Sequence, residues 1–218
     1  MTGKIHSHFV LKVLVCLVLV SGCGSRQTYD KKHYILKAVR HGDSIQTEIG
    51  SVLDVRRFTI DSAFAGKSLV YRTGEFEYES DFYNEFLVSP AAMITDKTRN
   101  WLAESGLFGT VPDVGSLVDP THVIEGNITA LYGDFRDMSS PKAVMEMRFF
   151  LLKVKTTGES TPIFGKTYQA TVDIASENPQ DLVEAFDKCL EDILTSLERD
   201  ANLLHTAKNA DPRQRELP

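Results

Sequence analysis

The order of elements in this 218-residue chain predicts an α+β fold: a single domain with a largely antiparallel mixed sheet packed by two amphipathic helices. Three observations point to it. Three long strand-like segments, 122–135, 143–155 and 163–174, follow one another with only short connections. A C-terminal run repeats apolar residues at helical spacing. Strands and helices do not alternate regularly, as a parallel βαβ sheet would require.

The body is preceded by a segment of another kind. Residues 1–22 read as a signal peptide: Lys4 and Lys12 give a positive start, Val13 to Val20 is almost wholly apolar, and Ser21-Gly22 supply small residues for cleavage. The run falls short of the roughly 20 apolar residues that span a hydrocarbon core. Because Cys23 follows directly, Val20-Ser21-Gly22-Cys23 reads as a bacterial lipobox, with Cys23 the lipidated first residue of the mature chain; the alternative is a plain secretory signal ending near Gly22. Two or more acyl chains hold a protein stably where one does not, and a bacterial lipoprotein of this pattern carries three. In Gram-negative lipoproteins an Asp after the lipid cysteine signals inner-membrane retention. Gly24 stands there, which favours the periplasmic face of the outer membrane.

Residues 23–33 are polar and read as a lipidated tether reaching at most about 35 Å. The folded domain is expected over 34–205. Tyr34-Ile35-Leu36 opens the first strand, Ser51 to Ile60 reads as a second, and Asp61 to Lys67 is a small-residue loop. Ser68 to Tyr78 reads as a hairpin around Thr73-Gly74, with Gly available for positive φ. Asp81 to Leu87 adds further aromatics. Ser89-Pro90 starts a helix to about Ser105, with Ile94, Thr98, Trp101 and Leu102 on one face and Gly106 at its C′ position. A proline- and glycine-rich loop spans Gly109 to Pro120.

Of the three long strands, the middle one carries Met145, Met147, Phe149 and Leu151 on one face and Phe150, Leu152 and Val154 on the other, so it is expected to be central and covered on both sides over part of its length. Thr157-Gly158-Glu159 turns it into the third. Asn178-Pro179 opens the last helix, whose stripe runs through Leu182, Phe186, Cys189, Leu190, Ile193, Leu194 and Leu197. Residues 206–218 are polar, hold two prolines and read as a disordered tail.

Charge and cysteines narrow the function. The net charge is -6, and the signal segment removes only lysines, so the mature chain is more acidic still. An acidic chain with no basic tract argues against nucleic-acid binding and against broad adhesion to anionic lipid. Cys16 leaves with the signal peptide and Cys23 is acylated, so Cys189 has no partner for an intramolecular disulfide. It lies on the apolar stripe and reads as a buried structural thiol. GxSxG, HExxH, CxxC and Walker A patterns do not occur, and no cofactor or metal site is expected. His41-Gly42-Asp43 reads as turn chemistry, and Glu75, Glu77, Glu79 and Asp81 as the solvent face of a strand rather than paired catalytic carboxylates. The aromatic run Tyr71, Phe76, Tyr78, Phe82, Tyr83 and Phe86 is the candidate partner contact. Half of an alternating strand faces inward, so the run is shared between core and working surface.

Four segments taken together resemble the ABC-type transport auxiliary lipoprotein family, which includes the PqiC-like lipoproteins of mammalian-cell-entry (MCE) lipid transport systems. They are Leu69-Val70-Tyr71-Arg72 with the aromatics behind it, Trp101-Leu102-Ala103-Glu104-Ser105-Gly106-Leu107-Phe108, Gly126 to Phe135, and Pro141-Lys142-Ala143-Val144; the lipobox fits as well. The likeness covers about 34–197, and order and spacing carry it rather than one diagnostic piece. It implies a non-enzymatic, lipid-anchored periplasmic component that acts with an MCE-domain protein, a permease and an ATPase to move phospholipid or a related hydrophobic solute between membranes; a homo-oligomer is compatible with it. A lipoprotein enzyme or activator of cell-wall metabolism, or a secretion or surface-fibre assembly lipoprotein, are the alternatives of other classes.

The lipobox reading predicts that Cys23→Ser releases the protein from membranes or blocks its processing. A variant still processed, and still sedimenting with membranes at high salt, would refute it.

Overall fold

The computed structural model describes residues 30–45 and 50–210, with side chains as far as Leu204. The signal peptide, Cys23, most of the tether and 211–218 of the tail lie outside the described residues. The chain forms β1 (Lys32–Tyr34), β2 (Leu53–Val55), β3 (Thr59–Ile60), a 3₁₀ turn (Ser62–Phe64), β4 (Ser68–Arg72), β5 (Tyr78–Phe86), α1 (Pro90–Ser105), β6 (His122–Asp134), β7 (Lys142–Val154), β8 (Ser160–Asp173) and α2 (Pro179–Ala210). This is an α+β domain with one open, mixed, eight-stranded sheet and two helices.

The strand order is β1-β5-β4-β6-β7-β8, with β2 and β3 also on β6. The long ladders β6–β7 and β7–β8 are antiparallel, as the short turns demand. Gly158 takes φ 85° in the turn between β7 and β8. The other edge of β6 is met by three short parallel strands in succession: β2 against His122–Ile124, β3 against Asn127–Ile128, and β4 against Gly133–Asp134. The segment Ser51 to Ile60, read from sequence as one strand, is therefore two. The break comes at Phe58, whose ring turns into the core edge-on to Phe149 (5.6 Å) and whose N–H donates to Thr95 Oγ1 of α1 instead of to β6. Gly126 is what permits this, because a Cβ there would lie 2.7 Å from the Phe58 ring.

The hairpin also differs from its sequence reading. Its second arm runs through Phe86, and the turn spans Thr73 to Glu77, whose carbonyl accepts the Thr73 and Gly74 N–H groups without positive φ at Gly74. α1 ends as expected, with Gly106 at φ 70°. Ser89 precedes it without a side-chain cap; its carbonyl accepts the N–H of Ala92 and Met93.

The core lies between one sheet face and the helices. Met145, Met147, Phe149 and Leu151 of β7 are buried there, as are Ile94, Thr98, Trp101 and Leu102 of α1 and every member of the predicted α2 stripe. The opposite face of β7 is covered only in part: Val144 is buried and Phe150 is exposed. α2 continues to Ala210, past residue 206 where the sequence reading began the tail, so a polar composition did not end this helix.

Carboxylates on α2 strap the chain after β1. Asp187 Oδ1 accepts the N–H groups of Lys37 (2.6 Å) and Ala38 (3.0 Å), and Glu191 Oε1 that of Val39 (3.1 Å). Glu198 accepts from Arg40 Nε and Nη2 and from Trp101 Nε1, joining strap, α1 and α2 at one group. On the far side Lys166 and Tyr168 of β8 both donate to Asp200.

Phe186 is 1% exposed and tilts against Phe86, 6.3 Å between centroids. Phe186→Ala is expected to cost about 3–5 kcal/mol in denaturant melts. A change below about 1 kcal/mol would show that α2 does not hold the sheet through this ring.

Candidate functional site

The aromatic hairpin β4–β5 carries the contact residues expected from the sequence. Strict alternation would place Phe82 and Tyr83 on opposite faces, yet both are exposed. The ladder explains why. Val70 pairs with Ser80, but the next pair is Ser68 with Glu85, so residues 81–84 bulge out of register. Asp81 supplies the bonds the ladder loses. Its Oδ1 accepts the N–H groups of Tyr83 (2.8 Å) and Asn84 (2.9 Å), while Oδ2 accepts Tyr71 OH (2.7 Å) and Asn84 Nδ2 (2.9 Å). Burial pushes this carboxyl up, but the four hydrogen bonds outweigh it and hold it below the usual carboxylate range. Burial, and then the bond to Asp81, push the Tyr71 phenol well above its ordinary value. Asp81 thus works inward and leaves the solvent-facing row of Glu75, Glu77 and Glu79.

The six candidate contacts divide. Phe76 (91% exposed), at the turn, and Phe82 (70%) are open, and Tyr78 and Tyr83 are about half exposed. Phe86, at 2%, is a core residue against Phe186 and offers nothing to a partner. Tyr71 is half-buried, edge-on to Phe135 at 5.4 Å, and serves the Asp81 network. Two residues join the surface that sequence reading missed. Tyr78 lies edge-on to Tyr132 (5.5 Å), and Phe64 stacks on Tyr132 (5.9 Å). Tyr132 pairs with Val144 and alternates with the buried Leu131, so it lies on the face away from the helices. That alternation was the available signal; Phe64, inside a small-residue loop, gave none. Arg72 lies 5.6 Å from the centre of the Tyr78 ring, and Lys31 Nζ lies 5.2 Å from that of Phe82.

Cys189 is fully buried, and burial, with Asp192 nearby, pushes its thiol up to about 12. Its Sγ contacts the Ala143 carbonyl at 3.6 Å, so it packs as the stripe predicts. Among the described residues no group of three or more His, Cys, Asp or Glu side chains is placed to hold a metal ion, and no helix is long and apolar enough to cross a membrane.

No family model matches the chain, and no curated protein matches it by sequence. Solved structures do match. A Xanthomonas campestris protein of family DUF330 superposes with a TM-score of 0.68 at 13% identity, over 83% of this chain and 100% of that one. The two share a fold. A crystal structure of an uncharacterized protein gives 0.62 at 13% identity, over 78% and 98% of the two chains. A lipoprotein from Neisseria meningitidis aligns over 66% of this chain and 99% of its own at 6% identity, but its TM-score of 0.29 is too low to carry an argument.

A group whose folded pKa is depressed stabilises the fold above its unfolded pKa, and that stability is lost as pH falls through the folded value. Asp81→Asn is therefore expected to be less stable than wild type at pH 7, by about 1 kcal/mol. The gap should close as pH falls below about 4. Melts at a series of pH values check this, and a gap independent of pH would remove the carboxylate from the account.

Proposed function

We propose that this chain is a lipid-anchored, non-enzymatic component of an MCE-type transport system at the periplasmic face of the outer membrane. It acts with an MCE-domain protein, a permease and an ATPase in moving phospholipid or a related hydrophobic solute. The observation that carries the reading is the order of resembling segments behind a lipobox. Two of them are structural joints of this fold: Trp101–Phe108 holds the end of α1 and its Gly106 cap, and Gly126–Phe135 is most of β6. The ATPase supplies the energy, and the work of this chain is to dock.

The exposed aromatics support docking. Phe76 and Phe82 expose most of their apolar rings, and buried aromatics dominate many interface hot spots. The partner of the proposed contact is the MCE-domain protein, met through Phe76, Tyr78, Phe82 and Tyr83.

The test is recovery of partners with the full chain from membranes of the native host, read by mass spectrometry. Wild type should bring down the MCE-domain protein. Phe76→Ala with Phe82→Ala should cut that recovery about tenfold while melting shifts by less than about 0.5 kcal/mol, as for surface substitutions. A preparation that recovers no such partner and instead hydrolyses peptidoglycan or lipid would overturn the proposal in favour of an enzyme.

A further inference from the structure

Away from the aromatic surface, three arginines and two aspartates line one cavity. A cleft of about 360 Å³ lies between the bend after β2, the first half of α1 and the loop that follows α1; Arg56, Arg57 and Arg99 line it together with Asp54 and Asp96. Three like charges around one cavity repel one another unless something answers them. What answers them within the chain is incomplete. Arg99 is 7% exposed, yet its Nη1 donates to Asp96, a largely exposed carboxylate (2.7 Å), and its Nη2 only to the Val55 carbonyl at a long 3.3 Å. Arg56 pairs outward with Glu125. Arg57 is exposed, and its side chain makes no hydrogen bond or ion pair among the described residues. Guanidinium groups recognise phosphate oxygens in pairs, and of the three here Arg57 is the one that no carboxylate among the described residues holds. The volume falls in the range of small-ligand sites.

A second, independent observation bears on the kind of phosphate. Val114 and Gly115 of the loop line the same cleft. This loop is apolar at its surface: Val114 is 80%, Val118 54% and Leu117 98% exposed. Guanidinium donors in the cleft and bare aliphatic side chains on the adjoining loop are matched by a molecule with a phosphate at one end and hydrocarbon beside it. The carboxylate of Asp54, in the same cleft, suits an ammonium group next to that phosphate.

We infer that the Arg56–Arg57–Arg99 cleft binds the phosphate head group of an amphiphile, with Arg57 and Arg99 on the phosphate and the Val114–Val118 loop against its apolar part. Phosphate binding stands on the cleft alone. The choice of a lipid as its source rests on the proposed transport reading.

The full chain, in phosphate-free non-ionic detergent at fixed ionic strength, is titrated calorimetrically with inorganic phosphate and with glycerophosphoethanolamine. Phospholipid retained through purification is measured by mass spectrometry. Both probes should bind, glycerophosphoethanolamine at least fivefold more tightly. Arg57→Glu, at an unpaired side chain, should weaken both at least tenfold with unchanged melting. Leu117→Asp should lower retained phospholipid at least fivefold while leaving inorganic phosphate binding within twofold. Arg99→Gln should match Arg57→Glu and is scored only where its melt shows a folded protein. Absence of binding by either probe, or equal binding by wild type and Arg57→Glu, overturns the site. Equal affinity for the two probes with no retained phospholipid overturns the lipid and assigns the cleft to free phosphate. Recovery of the MCE-domain protein is scored separately with wild type: partner recovered without head-group binding sinks this inference alone, and head-group binding without the partner sinks the transport reading alone.

Discussion

The long antiparallel ladder of β6, β7 and β8 has one strongly apolar face, and burying that face is the constraint on which the rest of the structure depends. Met145, Met147 and Phe149 have no exposed surface at all, nor do Cys189, Leu190 and Leu194 of α2 opposite them. Each such Met, Phe or Leu side chain contributes about 1.5–3 kcal/mol when taken out of water. Once α2 lies on the ladder, its own outer carboxylates become fixed points. Asp187 and Glu191, one turn apart, accept successive backbone donors from the strap after β1, and Glu198 ties the strap to Trp101 on α1. Burial raises the Asp187 carboxyl even though two N–H donors oppose the rise. The strap thereby replaces a strand: its N–H groups are satisfied by side chains of a helix rather than by a sheet neighbour.

What sequence could show follows from the range of each cause. The α2 stripe and the three long strands were legible because their periodicity is local and long, and Gly106 and Gly158 were legible because positive φ selects glycine. The division of Ser51–Ile60 was not, because it depends on the Phe58 ring meeting Phe149 and on the missing Cβ of Gly126, each remote in sequence. The far end of α2 was not, because a polar composition describes surface and not backbone state.

The candidate surface was legible as a run of rings and illegible as an arrangement. Alternation divides such a run evenly between core and solvent, and the bulge at 81–84 changes the division. A single side chain decides it: with four hydrogen bonds to its own bulge and to Tyr71, Asp81 lets the backbone leave the ladder without orphaned donors. Tyr71 is thereby held within the fold, and Phe82 and Tyr83 are turned out together, edge-on at 5.1 Å. Phe86, past the bulge, returns to the core. Its placement beside Phe186 ties the outward rings to the same packing that holds the ladder.

The place where the chain enters the body adds a geometric consequence. β1 pairs with Asn84–Phe86, from the last residue of the bulge onward, and Lys31 and His33 both bond to Glu85 there. Chain entry and the Phe82–Tyr83 pair thus share one edge of the sheet. On the proposed reading, an anchor at Cys23 would leave eight residues to Lys31, a reach of at most about 28 Å, less than the length of a 20-residue helix. A docking surface at that edge would then work close to the bilayer, and a membrane-bound partner of the kind proposed would meet it where the membrane confines both. Confinement of this kind raises the effective concentration of one partner for the other without any new contact. Under that reading a small patch of four exposed aromatics would suffice, where a free-floating body would need a larger interface.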